Sequence, residues 1–133
     1  MFSHVMIGAN DVEAMLAFYD AVLGTLGLTR EIVQPVASPA GFIWRRRGER
    51  WPQFALTRPF DGRAASAGNG VQISFAAASQ KQVVTAWQAA LDHGGSDEGG
   101  PGVRPQYSED FFAAYCRDPE GNKLCFVYVR DVP

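Results

Sequence analysis

Apolar residues recur along this chain at two different periods. From Asn10 onward, Val12, Met15, Leu16, Tyr19, Val22, Leu23 and Leu26 fall three or four apart, the spacing that gathers them on one face of a helix. Asn10 with Glu13 three residues later has the form of a capping box, Gly24 weakens the segment and Gly27 ends it. A second helix is predicted from Ser79 as cap, with Gln82 three residues on, through Val83, Val84, Trp87, Ala90 and Leu91 to a stop at Gly94-Gly95. A short β-type segment precedes each helix, His4-Val5-Met6-Ile7 for the first and Val71-Gln72-Ile73-Ser74-Phe75 for the second. Extended candidates follow each: 31–36, 41–45 and 51–57 after the first, 103–107, 111–117 and 123–129 after the second. Both halves therefore read strand, helix and three strands, an α+β unit used twice.

The stretch 59–70, rich in glycine and small residues, suits a linker between the units. A half of about 60 residues hides too little surface to be stable alone. Module one at about 1–60 and module two at about 71–130 are accordingly expected to pack as one domain over 1–133. With 47% apolar and 20% charged residues and a net charge of −2, the chain is neither disordered nor a generally basic nucleic-acid binder. No stretch is long and apolar enough for a membrane span, and Met1 to Val5 lacks the form of a signal peptide, so a cytoplasmic protein is expected. Cys116 and Cys125 flank the turn-like Arg117-Asp118-Pro119-Glu120-Gly121-Asn122. Hairpin pairing about that turn places them on opposite faces of a sheet, which disfavours a disulfide.

The repeated module, the opening His4-Val5-Met6-Ile7 with its capped helix, and Asp118-Pro119-Glu120-Gly121-Asn122 just before the last strand together resemble the vicinal oxygen chelate superfamily. That superfamily includes glyoxalase I, extradiol dioxygenases, and fosfomycin- and bleomycin-resistance proteins. The segments Gly99 to Tyr107 and Phe112 to Tyr115 are similar to a bacterial glyoxalase-like subgroup. The resemblance covers essentially the whole chain and implies two βαβββ modules around a cupped mixed sheet, a small-molecule ligand and a homodimer. In metal-dependent members, ligands stand on the first and last strands of each module. Matched one by one, those positions fall on His4, Ala55, Gln72 and Cys125, and only His4 keeps its usual identity. A Lewis-acid centre needs several fixed nitrogen or oxygen donors. No resident cofactor is therefore expected, and the alternative is a divalent metal on a salvage set of His4, Gln72 and Cys125.

Each remaining candidate has a functional reading and a plainer one. His4 is a ligand, a general base or a hydrogen-bonded interior histidine. Cys125 is a nucleophile or an inert small apolar residue. Gln72 is a hydrogen-bonding group for a ligand or a partner of His4, with a ligand or water between the two if both are buried. Arg104 is a bidentate clamp for a carboxylate or phosphate, or an internal ion-pair partner of Asp97, Glu98 or Asp118. Trp44, Tyr107 and Tyr115 are expected to line an apolar pocket, Tyr115 lying opposite Cys125 in the simple hairpin register. Trp87 belongs to a packed helix face, and Arg45, Arg46, Arg47 and Arg50 mark a solvated hairpin tip with an anionic-substrate role open for Arg45. Two functions stay in view: a protein that binds a small organic molecule, and a lactoylglutathione lyase-like or dioxygenase-type enzyme built on His4. The long acidic run that a bleomycin-type groove would use is absent from the sequence.

Overall fold

The computed structural model describes residues 1–33 and 41–132. Along the chain it forms β1 (His4–Gly8), α1 (Val12–Gly24), β2 (Leu28–Val33), β3 (Gly41–Arg46), β4 (Gln53–Thr57), β5 (Gln72–Ala76), α2 (Gln80–Asp92), β6 (Ser96–Val103), β7 (Phe112–Arg117) and β8 (Lys123–Tyr128). The strands make two mixed four-stranded sheets of identical topology, β1-β4-β3-β2 and β5-β8-β7-β6. In each, the first strand runs parallel to the last, because the helix between them carries the chain back across the sheet. This is the α+β arrangement of two βαβββ modules expected from the sequence.

One continuous apolar cluster joins the modules. Met15, Phe18, Tyr19, Val22 and Leu23 of α1 meet Val83, Ala86 and Ala90 of α2, Trp44, Phe54 and Leu56 of the first sheet, and Ala114, Cys116, Leu124 and Phe126 of the second. Its aromatic rings touch in series, Trp44 to Tyr19 at 5.7 Å, Tyr19 to Phe54 at 4.8 Å, Phe54 to Phe75 at 5.3 Å and Phe75 to Phe126 at 6.2 Å between centroids. Strand side chains alternate, so every residue that faces this cluster sends its neighbours to the other face of its sheet.

The Asp118 to Asn122 turn locks the modules together. The carboxylate of Asp118, 3% exposed, accepts from Tyr19 Oη at 2.6 Å, Asn122 Nδ2 at 2.8 Å, Glu120 N at 2.9 Å and Asn122 N at 3.0 Å. Glu120 reaches the start of α1, where its two oxygens accept from Asn10 N at 2.8 Å and Asp11 N at 2.8 Å. Those are free N–H groups at the positive end of the helix, where a carboxylate is stabilising.

Several boundaries differ from the sequence expectation. Asp11, not Asn10, caps α1 by accepting from Ala14 N, while the Asn10 amide bonds the backbone of Ala65 in the linker through both its oxygen and its nitrogen. Ser79 does cap α2, and Gln82 turns back to accept from Ala78 N and donate to Thr25 O. The second strand begins earlier, at Leu28, and the expected residues 34–36 lie outside those described. The sixth strand is Ser96–Val103 rather than 103–107. Its sequence, Ser-Asp-Glu-Gly-Gly-Pro-Gly-Val, has no alternation to read, and its register shifts twice against β7, around Gly99 at φ +149°. Arg104 and Tyr107 consequently sit in the turn that follows.

Candidate functional site

Register assigns the candidate residues to faces. Phe54 and Leu56 of β4 point into the core, so Gln53, Ala55 and Thr57 point outward, and their partners across β1 are His4, Met6 and Gly8. On the second sheet, Phe75, Leu124 and Phe126 face the core, and the outward row holds Gln72 beside Lys123 and Ser74 beside Cys125. Tyr115 stands opposite Cys125 in an unbroken register, as the hairpin argument predicts. All four positions matched to family ligands thus lie on outward faces, His4 and Ala55 on one sheet and Gln72 and Cys125 on the other.

On the first sheet, His4 is exposed, its Nδ1 is 2.9 Å from Ser3 Oγ, and its ring lies 6.3 Å from that of Trp51. Met6 beside it is 59% exposed. Arg45 is ion-paired with Glu31 on the neighbouring strand, and Arg46 with Glu49 beyond the turn, so the basic run does form a hairpin tip. Trp44 is corrected from pocket residue to core residue. It is 1% exposed, and its Nε1 donates to Asp20 at 3.0 Å, because alternation on β3 sends Ile43 and Arg45 outward and Trp44 inward.

The second sheet carries the denser group of polar and aromatic side chains. Cys125 is 1% exposed within a small cluster of Ala113, Val127, Phe111 and Tyr115, separate from the main core. Burial pushes its thiol up, against hydrogen bonds from Ser74 and Tyr115 and the fields of Arg104 and Lys123, so the thiol keeps its proton at neutral pH. Burial, with Cys125 next to it, also pushes the Tyr115 phenol up. The Arg104 guanidinium lies 5.4 Å and the Lys123 ammonium 5.5 Å from the Tyr115 ring centre. Gln72 donates to Ser74 Oγ at 3.1 Å rather than to His4, and both Gln72 and His4 are exposed. Tyr107, 64% exposed, leans on Phe111 at 5.0 Å.

Arg104 makes none of the ion pairs considered for it. Its guanidinium donates to Gly102 O at 2.9 Å and Gly100 O at 2.7 Å, pinning the irregular end of β6. Glu98 pairs with Arg117, Asp97 accepts from Gly99 N and Trp87 Nε1, and Asp118 is held by the modular lock. The structure thus brings Gln72, Arg104, Tyr115 and Cys125 to one face with Tyr107 at its margin, and adds Ser74 and Lys123. Both additions stand two residues from a candidate, at the strand period, which was the available signal. Cys116 faces the core, and both cysteines are free thiols, as expected.

A family model described as the Glyoxalase/Bleomycin resistance protein/Dioxygenase superfamily matches residues 1–126. A crystal structure of a glyoxalase/bleomycin resistance protein from Albidiferax ferrireducens T118 is 41% identical, with a TM-score of 0.79 over 97% of this chain and 98% of that one. A glyoxalase/bleomycin resistance protein/dioxygenase family enzyme from Burkholderia phytofirmans PsJN shares the fold at 18% identity and a TM-score of 0.67, over 94% of this chain and 95% of that one. So does a glyoxalase-related enzyme from Fulvimarina pelagi at 15% identity and a TM-score of 0.69, over 97% and 88%. No curated protein matches the chain. Its duplicated modules, its sheet topology and these similarities agree: the chain belongs to the glyoxalase/bleomycin resistance protein/dioxygenase superfamily.

Proposed function

We propose that this protein binds a small organic molecule against the outward sheet faces, at a site where the family's metal-ligand positions have degenerated. The observation that carries this reading is the donor set at the four matched positions. It consists of one exposed imidazole (His4), one methyl group (Ala55), one carboxamide turned to its neighbour (Gln72) and one buried thiol that retains its proton (Cys125). Such a set does not fit a catalytic centre that needs three strong ligands and an open position. Among the described residues no three His, Cys, Asp or Glu side chains gather as a metal-holding group. The outward face of the second sheet groups the partly exposed rings of Phe111 and Tyr115 with the polar side chains of Gln72, Ser74, Arg104 and Lys123, the mixture a small-molecule site uses. Among the described residues no helix is long and apolar enough to cross a membrane. We place the protein in the cytoplasm as a homodimer, in keeping with its two free thiols and with apolar exposure at Met6 on the face of His4.

Elemental analysis of untagged protein, before and after incubation with zinc, nickel, manganese and ferrous iron, tests the reading. The expected result is no stoichiometric metal in any sample. Stoichiometric metal that disappears in His4→Ala would overturn it in favour of a metal-dependent lyase or dioxygenase-type enzyme.

A further inference from the structure

Resting on that reading, we infer that the ligand of the second sheet's outward face is a small carboxylate on a flat apolar body, its anionic head held by Arg104 and Lys123 beside the Tyr115 ring. Several cations on the strands are ion-paired, Arg30 with Asp20, Arg45 with Glu31 and Arg117 with Glu98. Arg104 and Lys123 are not. Among the described residues neither has a carboxylate partner, yet both are only partly exposed and both converge on one aromatic ring. The negative groups nearby are already used, Asp97 by Gly99 N and Trp87 Nε1 and Glu98 by Arg117, and the Cys125 thiol is uncharged. Both cations therefore stay without a carboxylate among the described residues until an anion arrives.

Arg104 is also held in place in advance. Two of its donors are fixed on Gly100 O and Gly102 O, which removes rotamer freedom that an ordinary surface arginine would lose on binding. The remaining guanidinium N–H groups and the Lys123 ammonium are enough for the two oxygens of a carboxylate. Beside them, exposed Tyr107 and the partly exposed Phe111 and Tyr115, backed by buried Ala113 and Val127, offer aromatic surface that suits a flat body.

Titration of 15N-labelled protein with benzoate, benzyl alcohol and phenyl phosphate, followed by amide shifts, tests the inference. Benzoate is expected to shift Ser74, Tyr115 and Cys125 saturably and to bind more tightly than the other two. Lys123→Gln is expected to weaken it about tenfold, the worth of one charge-assisted hydrogen bond. Lys123 is the chosen variant because Arg104 also stitches β6, whereas among the described residues the Lys123 ammonium makes no hydrogen bond or ion pair and lies over the ring. Equal binding of benzyl alcohol at the same amides would overturn the anionic ligand while leaving small-molecule binding intact. Preference for phenyl phosphate, or indifference to Lys123→Gln, would overturn the carboxylate assignment. If none of the three shifts this face, the inference and the reading beneath it both fall.

Discussion

Removal of a single oxygen tests how the two modules are held together. In Tyr19→Phe the ring stays in the core, and the 2.6 Å hydrogen bond to Asp118 is lost from a carboxylate that is 3% exposed. The other three donors to Asp118 remain, so the charge is not orphaned, and no cavity of consequence opens. One hydrogen bond to a charged group is worth about 1.5–3 kcal/mol net. For a chain of 133 residues the unfolding entropy turns this into a fall in Tm of about 5–10 °C. Asp118→Asn should cost at least as much, because one amide cannot accept at both positions where the carboxylate meets donors. The double variant should lose clearly less than the sum of the single losses, since both act on the same bond. Calorimetry or urea unfolding reads all three. A Tyr19→Phe loss below about 0.5 kcal/mol, or strict additivity in the cycle, would refute the claim that this bond couples the modules.

Alkali should weaken the fold. Burial pushes Cys116 up to about 12 and raises Cys125, and burial with Asp118 raises Tyr19. The native state therefore keeps protons that the unfolded chain releases from about pH 9 for thiols and pH 10 for tyrosine. Stability is fully present below those values and falls as pH rises toward the folded ones. Urea midpoints between pH 8 and 11 should drop, with a smaller slope in Cys116→Ala, and a flat profile would contradict the assignment. Two glycines should respond in opposite directions in thermal melts. A Cβ at Gly95 would meet Ala90 O and Arg117 O at 2.7 Å, so Gly95→Ala should cost at least about 1–3 kcal/mol. Gly24 has open space around its Cβ direction at the end of α1, and Gly24→Ala should gain about 0.4–1 kcal/mol.

The parts of this protein legible in its sequence are those where one physical signal dominates. Both helices show an apolar stripe with a period near 3.6, and the β7–β8 hairpin alternates cleanly enough to pair Tyr115 with Cys125. Strand β6 was hidden because glycine, proline and acidic residues carry no alternation, and its pairing is set by bulges that pattern cannot show. Trp44 is ambiguous in the sequence for a different reason. An aromatic residue on a half-buried strand suits either face, and only registration with Phe54 decides between them. The Asp118 to Asn122 segment was visible as a turn, but its bonds to Tyr19, Asn10 and Asp11 span about a hundred residues and leave no local trace. The partners of Arg104 could not be read either, since backbone carbonyls are present at every position.

The tie made by Asp118 and Glu120 lies entirely on the helix side of the sheets, and it runs from the second module to the first. The residues that would meet a ligand, including His4, Gln72, Ser74 and Lys123, take no part in it. Mutation can therefore explore new ligand chemistry on the outward faces with little effect on the joint that keeps the duplicated halves together. A gene carrying either half alone would, by contrast, inherit a helix start without the Glu120 carboxylate or an Asp118 carboxylate without its phenol. Purifying selection should then fall on the lock and divergence on the faces, which is one way a single architecture can come to serve many small molecules.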